Sequence, residues 1–197
     1  IIANSGLSRN TFTQNSIYAN IGALHALGIL FQTERWSPSL NIGLSVASAS
    51  VQAVPGDSIV FEIFTNEVCD PSGLGEGQTY VQTITSTADA NGMATAGFTP
   101  VLGLFYTVTA TKADGSTSAF SACKQAAYPP PTLSSMSPSS ITKDNAPNAR
   151  VTVTVDGFVP GITQLEASGS AQVADLIVES LDGDSATVSF VPFPGGS

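Results

Sequence analysis

The sequence predicts an all-β protein: two β-sandwiches in tandem, preceded by a short β-helix-like or extended N-terminal arm. Short segments rich in Val, Ile, Thr and Phe alternate between apolar and polar residues from about residue 44 to about residue 191. Turn signals built on Pro-Gly, Asn-Gly and Asp-Gly separate these segments. A run of three prolines at 129–131 divides the alternating region into two parts.

Composition limits the kinds of partner. Of the 197 residues only 11% are charged, and the net charge is −9 with six Lys and Arg in total. Nucleic acids and anionic membranes are bound through clustered basic residues, so we expect no nucleic-acid partner. The longest apolar-rich run, residues 21–31, is too short to span a bilayer, so we expect no membrane insertion.

Residues 1–39 form the predicted arm. Asn10, Asn15 and Asn20 recur every five residues, and Phe12 and Ile17 follow the first two at the same offset. A parallel β-helix uses such units, with the apolar residue pointing into the coil and Asn stacking at the bend. The alternative is a polar arm in which the spacing is incidental.

The run 21–31 continues the arm and favours a strand, because its two glycines weaken a helix. His25 within it is the one side chain that titrates near neutral pH without any shift. No Ser, Cys or carboxylate lies close to it in sequence, so a packed or surface imidazole is favoured over catalysis. Trp36 and Pro38 mark the junction with the next segment, where Trp36 is expected to pack between domains rather than to bind sugar.

Residues 40–127 form the first predicted sandwich. Turns are expected at 55–57, 90–92 and 113–115, where Gly supplies a positive φ. Regular short strands between such turns are typical of a sandwich. The predicted strands are Leu44–Val51, Ser58–Thr65, Thr79–Thr87, Met93–Thr99, Phe105–Lys112 and Thr117–Cys123.

Residues 128–131 form a predicted stiff linker, because successive prolines favour polyproline II and cannot join a β-ladder. Residues 132–197 form the second predicted sandwich. Its predicted strands are Val151–Val155, Gln172–Val178 and Ser185–Val191, with a turn at 181–184 between the last two.

Five segments of the first sandwich match a known module: Phe61–Phe64, Cys69–Gly73, Gly75–Thr79, Thr107–Thr111 and Asp114–Cys123. Through these segments, about 65 residues of the chain resemble a module that follows the last coils of right-handed parallel β-helices in large bacterial secreted proteins. The arm around Asn15 resembles the terminal coil of that family. The resemblance implies an extracellular or cell-surface protein without catalytic residues in this module.

Four segments of the second sandwich match another known module: Pro131–Leu133, Met136–Ser140, Val151–Phe158 and Val159–Gly161. Through them the second sandwich resembles the immunoglobulin-like IPT/TIG module. The two resemblances together make the predicted fold a tandem of immunoglobulin-like sandwiches. The family runs past the equivalent of Val191 into one more strand, whereas this chain ends at Ser197, so the second sandwich is expected to be complete or short of one strand.

Cys69 and Cys123, the two cysteines of the chain, border the first sandwich. In a secreted protein two cysteines usually pair, so we predict a Cys69–Cys123 disulfide. Two free thiols in a reducing compartment are the alternative.

No cofactor is expected. Glu67, Asp70 and Glu76 lie in the loop around Cys69, but calcium requires several oxygen ligands at close range, and no Asp-x-Asp-x-Asp-Gly loop occurs. Solvated carboxylates are therefore favoured over a calcium site. No Ser-His-Asp set has motif support around His25, so we expect no enzyme.

The predicted function is structural: a surface scaffold or filament subunit whose partners are copies of itself or other cell-surface components. A sandwich that lacks a strand exposes an edge that another strand can fill, and Leu27, Ile29 and Phe31 are the predicted donor. An adhesin stalk or carbohydrate-binding module is the alternative. A second alternative is the non-catalytic tail of a β-helix polysaccharide-active enzyme. The chain begins at Ile1 without Met, and we interpret it as a mature or excised piece of a longer protein.

Overall fold

A computed structural model describes residues 2–3, 11–18, 30–31, 36–71, 73, 75–139, 151–160, 162–163, 172–182 and 185–193. The chain is all-β: the described residues form antiparallel sheets and one short parallel pair, and no helix. No helix in this part of the chain could cross a membrane. The sequence predictions at Asn10, Asn20, His25, Leu27 and Ile29 lie outside the described residues.

The chain divides into two compact units, residues 1–128 and residues 129–197. The parallel pair belongs to the first unit and joins β1 (Ile2–Ala3) to β2 (Leu30–Phe31), with Ile2 opposite Leu30 and Ala3 opposite Phe31.

The first unit is a β-sandwich of seven strands: β3 (Ser39–Ile42), β4 (Ala47–Gln52), β5 (Ser58–Asn66), β6 (Thr79–Thr87), β7 (Met93–Phe98), β8 (Phe105–Lys112) and β9 (Lys124–Gln125). Its smaller sheet has the strand order β3-β4-β7, and its larger sheet has the order β6-β5-β8-β9. All neighbouring strands in both sheets are antiparallel.

The core of this unit lies between the two sheets. Large side chains of β5, such as Ile59, Phe61 and Ile63, are fully buried and face the smaller sheet. That sheet contributes small residues to the same core, because β4 and β7 place alanine at most of their inward positions. Pairing large with small residues lets the two sheets interdigitate at native density. The inward alanines are Ala47, Ala49, Ala94 and Ala96.

Most predicted strands of the first unit are confirmed. Those starting at Ser58, Thr79, Met93 and Phe105 lie within one residue of the predicted bounds. The strand predicted from Leu44 starts only at Ala47, because the Gly43 N–H donates to the Val46 carbonyl at 2.9 Å and closes a tight turn. β3 was not predicted, because its four residues alternate over too short a span to be distinctive.

The strand predicted at Thr117–Cys123 is wrong. That segment touches the ladder at Thr117, which bridges Thr111, and regular pairing begins only at Lys124. Two serine side chains of this segment form hydrogen bonds with β8 in place of the backbone hydrogen bonds of a regular ladder.

The second unit contains one antiparallel sheet among its described residues, formed by β10 (Thr132–Ser137), β11 (Val151–Asp156), β12 (Gln172–Asp182) and β13 (Ser185–Phe193). The strand order is β10-β11-β13-β12. Alternate residues of β11, Val151, Val153 and Val155, are buried and pack with Phe158 and Ala186. The three predicted strands are confirmed, with the last two longer than expected, and β10 was not predicted.

Candidate functional site: a covered face and an open edge

The predicted disulfide is present. Cys69 and Cys123 have Cα atoms 5.6 Å apart and are bonded across 54 positions of sequence. Cys69 lies in the connection between β5 and β6, and Cys123 directly precedes β9. The bond therefore fastens two loops at one end of the larger sheet.

The acidic loop beside the disulfide differs in part from expectation. Glu67 is exposed and Asp70 is half-buried, but Glu76 is buried at 8% exposure, so the prediction of solvated carboxylates is wrong for Glu76. The Glu76 carbonyl accepts a hydrogen bond from the Thr107 hydroxyl, which ties the loop to β8. Within the described residues no group of three or more His, Cys, Asp or Glu could hold a metal ion.

The outer face of the larger sheet is covered by residues 11–18, which we call the strap. Ile17 and Gly77 exchange two backbone hydrogen bonds of 2.7 and 2.8 Å. At the other end the Thr11 hydroxyl donates to the Gly115 carbonyl at 2.6 Å. Three more hydrogen bonds lie between these two ends of the strap. The Phe12 N–H donates to Thr117 Oγ1, and the Gln14 N–H donates to Glu62 Oε2. The Ser16 hydroxyl donates to the Gln78 carbonyl. The strap is thus held along its length.

A small aromatic cluster lies beneath the strap. Phe64 contacts Phe120 edge-to-face with ring centroids 5.4 Å apart, and Tyr80 edge-to-face at 6.0 Å. Phe12 and Ile17 of the strap pack on this cluster. These are the two apolar positions of the predicted five-residue unit, and in the structure they face the sheet.

Gly77 is needed where the strap meets the cluster. A Cβ at this position would lie 2.7 Å from Phe120 and 2.9 Å from Phe64 ring atoms. Real Cβ atoms do not approach that closely, so any side chain here would displace the rings.

Two buried serines complete the hydrogen bonding of β8. Ser118 Oγ accepts from the Ala110 N–H at 2.9 Å, and Ser121 Oγ accepts from the Val108 N–H at 3.0 Å. The backbone N–H groups of the same serines donate to the carbonyls of Ala110 and Val108 at 2.8 Å. Each serine therefore bonds both the backbone N–H and the backbone carbonyl of one residue of β8: Ser118 bonds those of Ala110, and Ser121 bonds those of Val108. We call Ser118 and Ser121 the serine clamp.

We expect Ser121→Ala to lower the free energy of unfolding of the first unit by about 1–3 kcal/mol, because it leaves the buried Val108 N–H without an acceptor. Denaturant unfolding followed by Trp36 fluorescence measures the change, since Trp36 is the one tryptophan and packs on the core of this unit. Ser58→Ala, at an exposed residue, is the matched control. Equal effects of the two substitutions would contradict the clamp.

A buried carboxyl lies under the middle of the strap. Glu62 is 2% exposed, and burial raises its pKa above the ordinary value for Glu, while the hydrogen bond from Gln14 lowers it by a smaller amount. Its cross-strand neighbour on β8 is Thr109, whose buried hydroxyl has no hydrogen-bond partner among the described residues. The two polar groups share one face of the sheet without a hydrogen bond between them.

We expect Glu62→Gln to raise the free energy of unfolding at pH 7 by about 1 kcal/mol, since a neutral amide is cheaper to bury and could donate to Thr109. Because the pKa of Glu62 is higher in the folded state than in the unfolded state, the folded state binds this proton at a higher pH than the unfolded state does. The ionised carboxylate therefore destabilises the fold as the pH rises through the folded-state pKa. The advantage of the variant should therefore grow from acid pH and level off above the raised pKa.

Denaturant unfolding as a function of pH measures this difference. Glu67→Gln, which removes the same charge at an exposed residue, is the control. A constant difference between Glu62→Gln and the natural chain at all pH values would contradict the burial of a titrating carboxyl.

The open edge of the larger sheet is β6, which pairs with β5 on one side and with no other strand among the described residues. Its nine residues include no charged side chain and no proline or glycine. The surrounding sequence from Gly77 to Thr111 contains a single charged residue, Asp89. Of the edge strands in the described part of the chain, β6 is the longest without a charge.

The structure places the remaining predicted residues as follows. Phe31, from the predicted donor segment, belongs to β2, and its backbone is opposite Ala3. Trp36 packs on the core of the first unit, where its Nε1 donates to the Gln52 carbonyl at 3.1 Å and Lys112 Nζ lies 4.5 Å from the ring centroid.

The strap contacts, the serine clamp and the charge-free edge were not predicted from the sequence. A signal existed for the edge, because the distribution of charge along the chain is visible without a structure. The strap joins residues up to 105 positions apart, and the clamp joins residues 8 and 13 positions apart; no local pattern marks either of them.

No protein-family model and no curated protein matches this chain. Among solved structures, a chicken TCR is similar over 81% of this chain and 89% of its own length, at 10% sequence identity and a TM-score of 0.29. A likeness at that score supports no conclusion about the fold, binding or activity of this chain.

Proposed function

We propose that this chain is a non-catalytic structural subunit of an extracellular or cell-surface protein, and that copies of it associate into a scaffold or filament. The observation that carries the proposal is the use of buried polar groups in the first unit. Thr117, Ser118, Ser121 and Asn66 all form hydrogen bonds that fasten loops or the strap to the sheet. These groups serve to hold the fold together.

The disulfide supports the proposed location. Disulfides persist in oxidising compartments and are rare in the cytosol. Together with the resemblance of the Cys69 and Cys123 segments to a module of bacterial secreted proteins, it favours a secreted or surface-exposed chain.

The strand order of the first unit supports an immunoglobulin-like assignment. The smaller sheet follows the A-B-E order of such sandwiches when β3, β4 and β7 are taken as strands A, B and E. The larger sheet follows their G-F-C-C′ order when β9, β8, β5 and β6 are taken as strands G, F, C and C′. The disulfide differs from the B–F bond of antibody domains, because it joins the C–C′ connection to the start of strand G. The order β10-β11-β13-β12 of the second unit is compatible with an A-B-E-D sheet of the proposed IPT/TIG-like module.

The N-terminal segment supports a junction with a β-helix. Consecutive coils of a parallel β-helix pair their strands in parallel, and β1 pairs with β2 in that orientation. The strap then lies between the two paired segments in sequence and is fastened to the sandwich. In this proposal the strap joins an upstream coil to the sandwich.

Self-association is tested by sedimentation velocity and negative-stain imaging of the purified chain from micromolar to millimolar concentration. We expect species larger than the monomer that grow with concentration. A chain that stays monomeric throughout would overturn assembly from copies of itself.

An adhesin stalk is the second candidate. It is favoured by the division of the chain into two compact units, 1–128 and 129–197, with the three-proline run 129–131 at the boundary in sequence. A stalk predicts an extended monomer with a frictional ratio above that of a globular protein of 197 residues, measured in the same sedimentation experiment.

A further inference from the structure

We propose that two copies of the chain pair through β6, antiparallel and about a two-fold axis, so that two four-stranded sheets become one continuous sheet. The proposal rests on the self-association proposed above and names the surface that mediates it. Such a contact is isologous, because the same strand contributes from both sides.

β6 carries backbone hydrogen-bonding groups that no other described strand uses. β6 pairs with β5 from Thr79 opposite Thr65 to Thr87 opposite Ser58, and alternate backbone groups are directed away from that ladder. Natural edges of this length are commonly protected by lysine, proline or inward-pointing charge. None of these occurs in β6.

The regular part of the strand is long enough for pairing. The one register shift lies opposite the step from Ile63 to Phe64, between Tyr80 and Gln82. From Gln82 to Thr87 the ladder is uninterrupted, which leaves six residues in regular β geometry. Strands of about five or six residues are typical of globular proteins, so this segment is sufficient for a strand pair.

The distribution of charge on the chain favours a second copy over another partner. Each chain carries a net charge of −9, so copies repel one another through most of their surface. No charged residue lies on β6, and Asp89 is the single one between Gly77 and Thr111, so two copies meet there with little like-charge contact. A basic partner would find no complementary charge on this strand.

The side chains of β6 suit a symmetric pair. Thr83, Thr85 and Thr87 are exposed, and Val81 is 46% exposed. Cross-strand threonine pairs stabilise antiparallel ladders, each by a few tenths of a kcal/mol up to about 1 kcal/mol. An edge pair alone buries little area, so we expect a weak, concentration-dependent contact.

The test places like charges on the strand. In Thr83→Lys/Thr85→Lys, lysines from the two copies face each other across the proposed axis, and we expect self-association to weaken by about tenfold or more. The matched control is Ser39→Lys/Asn41→Lys, which adds the same charge at exposed residues of β3 on the other sheet. Trp36 fluorescence confirms that each variant is folded.

A charge-reversal pair identifies the surface directly. Thr83→Glu/Thr85→Glu should be as defective alone as the lysine variant, and an equimolar mixture of the two should associate again. Recovery in the mixture supports pairing through β6. If the lysine variant associates as strongly as the natural chain, the contact does not use β6.

The two failures are distinguishable. If the natural chain and the lysine variant associate equally, the β6 contact is wrong but the proposed self-association stands. A natural chain that stays monomeric at millimolar concentration overturns both.

Discussion

Replacing Cys69 and Cys123 together with serine is expected to lower the free energy of unfolding of the first unit by about 4 kcal/mol. The bond closes a loop across 54 positions, and the chain-entropy model gives a loss of that size when such a cross-link is removed. Since whole domains are stable by about 5–15 kcal/mol, the loss should be visible as a large fall in the denaturant midpoint.

Trp36 fluorescence follows this transition, because the tryptophan packs on the core of the first unit. Reducing the natural chain under native conditions is the control and should reproduce the effect of the double substitution. If reduction leaves the midpoint unchanged while the substitutions lower it, the loss comes from the serines and not from the cross-link.

Phe120→Ala is expected to cost about 3–5 kcal/mol and, in addition, to release the strap. Phe120 is 3% exposed, and truncating a buried phenylalanine leaves a cavity that the surroundings fill only in part. The cavity opens beside Gly77, which forms the two backbone hydrogen bonds to Ile17. Hydrogen exchange at the backbone amides of Gln14 and Ile17 should therefore accelerate more than exchange in β5 and β8.

Phe98→Ala is the matched control for this prediction. Phe98 is buried at 7% exposure but belongs to the core between the two sheets, away from the aromatic cluster. We expect a comparable loss of stability with the exchange rates of the strap amides unchanged relative to those of β5. Equal acceleration of the strap amides in both variants would show that the strap does not depend on Phe120.

The sheet strands were predictable because their cause is local. β6 and β8 match their predicted bounds, since Thr, Val, Tyr and Ile at alternate positions favour a pleated, half-buried surface whatever the neighbours are. The turn at Asn91-Gly92 was predictable for the same reason: Gly92 takes a φ of 80° that other residues rarely adopt.

The segment from Thr117 to Cys123 shows where local reasoning fails. Its composition favours a strand, yet Ser118 and Ser121 use their hydroxyls in place of the neighbouring backbone groups of a regular ladder. Whether a serine accepts from its neighbour strand or faces solvent depends on which backbone group lies beside it. That is decided by tertiary packing.

The all-β class, the main strands of both units and the pairing of the two cysteines could be predicted from the sequence, because alternation, turn chemistry and the number of cysteines are local or countable. Three features could not be predicted in this way: the strap covers the outer face of the larger sheet, Glu62 is buried beneath it, and β6 lies at the edge of the sheet. Each of these depends on contacts between residues far apart in sequence, such as Phe12 with Thr117. The free energy of such contacts comes from burial and hydrogen bonding that exist only once the chain has folded.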